Sequence, residues 1–229
     1  MKKLIVFFIC GMVVLGISNQ KLRAETITVT PTDDSYVDYS NQSTNYGTSP
    51  TLNIISWNTA FFDVKKSYLQ FDLSDIPDSY TITSATLNLY SVVGDPPFAP
   101  YPKAVYAHHL DDSWDESTLT FYNRPYMMSE TTSNWTLADT NTWNSWDITA
   151  WVESDNHTGD DLLTIGLAEN GTYGQTGVYF YFASKEYADA NLRPSLIVEA
   201  VPSPSTILLQ GSALIGLAII CVISRHREH

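Results

Sequence analysis

The chain has 229 residues, with 25 acidic against 12 basic side chains, two cysteines, 13% aromatic residues and 16% charged ones. Residues 25–200 carry 24 of the acids and 6 of the bases, a formal charge of −18, and neither cysteine. This thiol-free body can form no disulfide framework or cysteine metal site, its acidity is the opposite of a nucleic-acid footprint, and its length fits one domain with a real core.

Lys2 and Lys3 open the chain, before an apolar run from Leu4 to Ile17 and a polar stretch ending Lys21-Leu22-Arg23-Ala24. A helix of that apolar run would be about 21 Å long, short of a bilayer core of about 30 Å. A basic start, a short apolar core and a closing small residue predict a secretory signal peptide over residues 1–24, cleaved after Ala24 or, in competition, after Ser18, with an uncleaved signal anchor as the alternative.

From residue 25 to residue 200 the chain alternates short strands with turn signals, and almost nothing reads as helix. Thr51–Trp57, Tyr68–Leu73, Ile82–Tyr90, Leu162–Ala168, Val178–Ala183 and Ser195–Ala200 are rich in β-branched and aromatic residues. Clusters such as Asn45-Tyr-Gly-Thr-Ser-Pro50 and Gly94-Asp-Pro-Pro97 bound them. Ala85, Leu87 and Leu89 alternate with Thr86, Asn88 and Tyr90. Leu163, Ile165 and Leu167 do the same, as do Leu196 and Val198. Such alternation predicts antiparallel sheets packed on one side, and the absence of βαβ spacing predicts an all-β fold, an antiparallel β-sandwich of jelly-roll type.

Residues 201–206 form a Pro/Ser linker. Ile207 to Ser224 is mostly apolar and long enough to span a membrane, and Arg225-His226-Arg227 follows it. Residues 207–229 therefore read as a membrane anchor, spanning through 207–224, with a basic tail on the cytoplasmic side. This end resembles the PEP-CTERM sorting signal of Gram-negative bacteria. Pro202-Ser-Pro204 stands where the family has Pro-Glu-Pro, and Ser205-Thr-Ile-Leu-Leu209, Gly211 and Gly216 fit it well. The resemblance implies an exosortase-type sorting enzyme as partner and a location outside the cell or at its outer surface.

Four blocks inside the domain carry a second resemblance. They are Asp34-Ser-Tyr-Val-Asp38 with Asn45–Pro50, then Tyr68-Leu-Gln-Phe-Asp-Leu-Ser-Asp-Ile-Pro77 running on to Tyr90. Trp114-Asp-Glu-Ser-Thr-Leu-Thr-Phe-Tyr-Asn-Arg-Pro125 follows, and Phe182-Ala-Ser-Lys-Glu-Tyr-Ala-Asp-Ala-Asn-Leu-Arg-Pro-Ser-Leu-Ile-Val198 closes the set. In this order they resemble the DNRLRE domain, also classed as carbohydrate-binding module family 96 and related to the disaggregatase domain. Phe121 stands where the family commonly has tryptophan. The resemblance implies a secreted β-sandwich, often attached to polysaccharide-degrading enzymes and credited with binding acidic glycans such as alginate; here the module is expected to act without a catalytic domain of its own.

Sugars are held by stacking their C–H faces on flat aromatic rings, with polar neighbours fixing the hydroxyls. Val178, Phe180 and Phe182 are expected to point inward, which leaves Tyr179 and Tyr181 on one outer face as a platform. Trp57, Trp135 and Trp143 lie near loops or strand ends and are further candidates, whereas Trp114 and Trp146 read as structural. Asp33, Asp34 and Asp38 cluster near the domain start, and Asp111, Asp112, Asp115 and Glu116 near its middle; such oxygen-rich loops can hold a structural calcium, and the first set is the candidate site. A domain at −18 repels a polyanion unless calcium bridges them or the site is locally basic. Its bases are Lys65, Lys66, Lys103, Arg124, Lys185 and Arg193. His108 and His109 are neighbours on a strand and face opposite ways, so they form no dyad. No nucleophile elbow, zinc-protease motif or P-loop is present. The sequence therefore predicts an exported, non-catalytic module that binds polysaccharide. The alternatives are a structural or adhesive matrix protein, and a polysaccharide-degrading lyase or glycosidase.

Overall fold

Alternating apolar residues become strand wherever the sequence carries them. The computed structural model describes residues 23–56, 64–93, 104–127, 133–137, 141–156, 160–169 and 178–203. In chain order the strands are β1 (Glu25–Val29), β2 (Asp33–Asp38), β3 (Thr51–Ser56), β4 (Val64–Asp72), β5 (Tyr80–Val93) and β6 (Ala104–Leu110). They continue as β7 (Ser133–Leu137), β8 (Trp143–Asp147), β9 (Leu162–Glu169), β10 (Val178–Ala183) and β11 (Ser195–Pro202). Every pairing among them is antiparallel, which bears out the all-β expectation.

Strand order runs β1-β11-β5-β10-β3-β4-β9-β6-β7, with β2 beside β4 and β8 beside β5. The 14-residue β5 joins the two halves. Its first part pairs with β11 and β8, and its last residues, Ser91 and Val93, pair with Phe182 and Tyr181 of β10. The halves are thus hydrogen-bonded into one curled sheet around a shared core. β11 runs on through Val201 and Pro202, which pair with Thr81 and Tyr80.

Ala85, Leu87, Leu89, Leu196, Val198, Phe180 and Phe182 all face that core with at most 2% exposure, as their alternation requires. Trp146 fills its centre, 1% exposed, edge-on to Phe182 at 5.9 Å, and its indole N–H donates to the Val105 carbonyl at 3.0 Å. That bond satisfies the one polar atom which would otherwise make a buried tryptophan costly.

Two features depart from the expected pattern. A seven-residue helix, α1 (Thr149–Asp155), follows β8 and buries Trp151, Val152 and Asp155. With Ile148 these residues keep a helical spacing and form one packed stripe. β9, expected to carry a polar face, is buried on both sides, because the segment 111–127 folds over it. There Val37, Tyr68, Leu110, Leu119, Met127 and Ala168 form a second apolar cluster, flanked by Trp114 and Phe121. Gly166 lies beneath that cover, where an added Cβ would sit 2.3 Å from Met127 Cε and 2.5 Å from Leu110 Cδ1.

Residues 1–22 of the proposed signal peptide and the apolar segment 207–224 lie outside the described residues. Among the described residues no helix is long and apolar enough to cross a membrane.

Candidate functional site

Period-two geometry puts Asp34, Tyr36 and Asp38 on one face of β2 and Asp33 on the other. Asp34 is 1% exposed, and its Oδ2 accepts the Lys185 backbone N–H at 2.7 Å. Its own backbone N–H donates to Glu116 Oε1 at 2.9 Å. The Lys185 ammonium lies 2.9 Å from Glu116 Oε2 and 2.9 Å from Glu186 Oε1. Carboxylate oxygens of Asp34, Glu116 and Glu186 all fall within 4.8 Å of one another. Burial pushes the Asp34 carboxyl up to about 8; the Lys185 amide opposes the rise, and the Glu186 and Glu116 charges add to it. Burial works against the Lys185 charge, but hydrogen bonds to Glu116 and Glu186 overcome it and hold the ammonium well above its ordinary range.

The structure therefore does not bring Asp33, Asp34 and Asp38 together. Asp38 lies four residues along β2 from Asp34, about 13 Å away. It accepts from Ser40 N at 2.8 Å and Asn41 Nδ2 at 3.1 Å, and pairs with Lys65 at 3.4 Å. Asp34 instead joins Glu116, from the acidic cluster in the middle of the sequence, and Glu186, which belongs to neither cluster. A calcium ion takes six to eight oxygens, and in this cage it would have to displace the Lys185 ammonium.

Around the cage, the sequence blocks interlock. Asn45 Nδ2 donates to the carbonyls of Glu116 and Leu119 at 2.6 and 2.9 Å. Gly47 presses so close to Glu116 that an added Cβ would sit 2.5 Å from its Cγ and 2.6 Å from its carbonyl oxygen. Ser184 donates through Oγ to the Ser49 carbonyl at 2.6 Å and through its backbone N–H to the Pro50 carbonyl at 3.2 Å. Trp114 Nε1 donates to Thr164 Oγ1 at 3.1 Å, the structural role expected of it. The first, third and fourth blocks are thus scaffold, holding loops onto the sheet.

The predicted aromatics divide. Tyr179 and Tyr181 point outward from β10, opposite Ile55 and Asn53 of β3, and both are half-buried. Tyr181 lies close enough to Tyr36 for its charge to act on that phenol, so it adjoins a tyrosine cluster. Tyr36 stacks on Tyr46 at 4.2 Å, and the Lys65 ammonium lies 5.5 Å from the Tyr36 ring centre. Burial pushes the Tyr36 phenol up to about 12, with the Tyr46 and Asp38 charges adding to the shift and a hydrogen bond with Asn53 opposing it. Trp143 is 42% exposed and meets Tyr90 edge-on at 5.5 Å on the outer face of β8 and β5. Beside it, Ser145 Oγ donates to Asn88 Oδ1 at 2.6 Å. Trp57 and the side chain of Trp135 lie outside the described residues.

A groove of about 480 Å³ opens where β6 ends, lined by His109, Leu110, Asp111, Ser113, Pro125 and Tyr126. Tyr126 is 69% exposed and nearby Tyr122 73%, the most exposed large apolar side chains among the described residues. The loop presenting them is fixed from below. Tyr68 donates its hydroxyl to the Pro125 carbonyl at 3.1 Å, and Asn123 Oδ1 accepts both the backbone N–H and the hydroxyl of Thr120. Arg124 lies over the Phe121 ring at 3.5 Å and donates to the Phe121 carbonyl. His108 and His109 do face opposite ways. His109 Nε2 sits 2.7 Å from Asp155 Oδ2, and its ring stacks on Trp151 at 5.6 Å. The Asp155 hydrogen bond raises the His109 imidazole above its ordinary value, against the effect of burial. Exposed ring faces, a carboxylate, a hydroxyl and an imidazole around one groove are the components of a sugar site.

No curated protein matches the chain. Among solved structures, a cryo-EM structure of Mud crab tombus-like virus at 3.3 Angstroms resolution aligns over 92% of this chain and 99% of its own. Its identity of 14% and TM-score of 0.25 are too low to carry an argument. The model of carbohydrate-binding module family 96 matches residues 25–200, all of the acidic β domain, and the chain belongs to that family.

Proposed function

We propose that this protein is an exported, non-catalytic module that holds a polysaccharide in the groove beside Tyr126. The observation that carries the reading is the Tyr126 ring, exposed at the wall of a groove whose other lining residues include Asp111, Ser113 and His109. An exposed ring offers a stacking face for a pyranose, and the polar groups around it can fix hydroxyls. Trp143 with Tyr90, and Tyr179 with Tyr181, are further outward-facing aromatic pairs elsewhere on the sheet. Family membership supports a glycan partner.

The ends of the sequence support the rest of the reading. A signal peptide exports the domain, and a PEP-CTERM-like segment processed by an exosortase-type enzyme, or kept as an anchor through residues 207–224, holds it at the outer surface of a Gram-negative cell. Mass spectrometry of the C-terminus from native cells tests this, with a product truncated near residue 204 expected if the segment is processed.

Affinity electrophoresis through gels cast with neutral, basic and acidic polysaccharides tests binding itself. Retardation by one class, abolished in Tyr126→Ala, supports the module. Unretarded migration in every gel favours an inert matrix spacer, and release of new reducing ends or unsaturated uronates would identify an enzyme.

A further inference from the structure

We propose that the groove selects a glycan bearing protonated amino groups, a hexosamine polymer, over the uronate polymers that its family suggests. This rests on the glycan-binding reading and adds the class of sugar. The charges around the groove carry it. Asp111 lines the groove and is exposed, and its Oδ1 accepts the Ser113 N–H at 3.0 Å, which fixes the carboxylate at the lip. The charges acting on His109 are those of Asp155 and Asp112, and those acting on Asp112 are Asp155, Asp160 and His109 itself. His109 is the one cationic candidate in the lining, and the Asp155 carboxylate 2.7 Å away offsets its charge.

Four of the described bases are committed elsewhere. Lys65 pairs with Asp38, and Lys185 sits in the Glu116/Glu186 cage. Arg124 lies on Phe121, and Arg193 Nε donates to the Tyr187 carbonyl. Lys66 is not in the lining, and its charge acts on His108, which faces away from His109, rather than on His109 itself. Among the described residues, a uronate entering the groove would meet Asp111 and, for a cation, only His109, whose charge Asp155 offsets, and like-charge contacts of this kind are strongly unfavourable. A protonated amine meets the reverse arrangement: a carboxylate to pair with and the Tyr126 ring face to lie against. The −18 domain also draws a polycation toward it and slows the approach of a polyanion.

The test titrates the full-length chain at about 0.15 M salt, where long-range attraction between exposed charges is screened, and at mildly acidic pH. Three probes of equal length are compared: a chitosan oligomer, its fully N-acetylated counterpart and an oligouronate. The chitosan oligomer is expected to bind at least about tenfold more tightly than the acetylated one, and the oligouronate most weakly. Asp111→Asn should erase the preference for the amine and leave affinity for the acetylated oligomer in place. Asp75→Asn, a turn residue after β4 with the same charge change, should leave the preference intact, which excludes diffuse attraction to the acidic surface. An oligouronate that binds as tightly as chitosan, or an Asp111→Asn preference equal to wild type, overturns the inference while leaving glycan binding standing. Failure of all three probes and of neutral glucans and mannans overturns both the inference and the glycan-binding reading.

Discussion

Asp34 ties stability to pH. Burial raises its carboxyl from an ordinary 3.8 to about 8, so between those values the folded chain holds a proton that the unfolded chain has released. Stability from this group is fully present below about pH 4 and is lost as pH rises through about 8. His109, also raised, acts in the same direction above its ordinary 6.5. Asp34→Asn keeps an acceptor for the Lys185 amide and removes the titration. Thermal melts should therefore show a flatter fall of Tm for Asp34→Asn than for wild type between about pH 4 and about pH 8, and equal slopes would contradict the assignment. Gly47→Ala forces its new Cβ against the Glu116 backbone, which cannot swing aside as a side-chain tip could. Denaturant melts should show a loss of about 1–3 kcal/mol.

At the scale of elements, β8 and α1 close the core. Trp146→Ala should cost about 3–5 kcal/mol by chemical denaturation, since it removes a buried ring and strands the Val105 carbonyl. A loss under about 1 kcal/mol would mean that the core is not organised around this residue. Strands such as β5, β10 and β11 were legible because one side of each meets the core and the other meets water, so composition alternates with the pleat. β9 broke that rule, as the covering segment comes from some 50 residues earlier in the chain and Thr164 and Gly166 look no different from solvent-facing residues. α1 escaped notice because seven residues give barely two turns, and Trp151 and Val152 suit a strand as well as a helix.

At the scale of the molecule, the acidic cage and the groove are products of long-range closure. Asp34 meets Glu116 across 82 positions and Lys185 across 151, and β4 to β9 must assemble before His109, Asp111 and Tyr126 share one groove. Residue type and local spacing single out Asp34 and Trp143 in the sequence, and the structure places one in a buried cage and the other on an exposed outer face. Tyr126 carries no such signal, since tyrosine in a turn has no pattern that separates an exposed ring from a packed one. The blocks that make the family recognisable proved to be mostly scaffold, so membership reports the fold more directly than the ligand. The −18 charge that excluded nucleic acid now bears on the choice of sugar. Under the proposed function the exposed ring of Tyr126 binds glycan, and isothermal titration of wild type and Tyr126→Ala with the polysaccharide that most retards the protein tests this most directly. Saturable binding weakened about tenfold or more in the variant, at unchanged Tm, is the predicted result. Equal affinity in both proteins would contradict it.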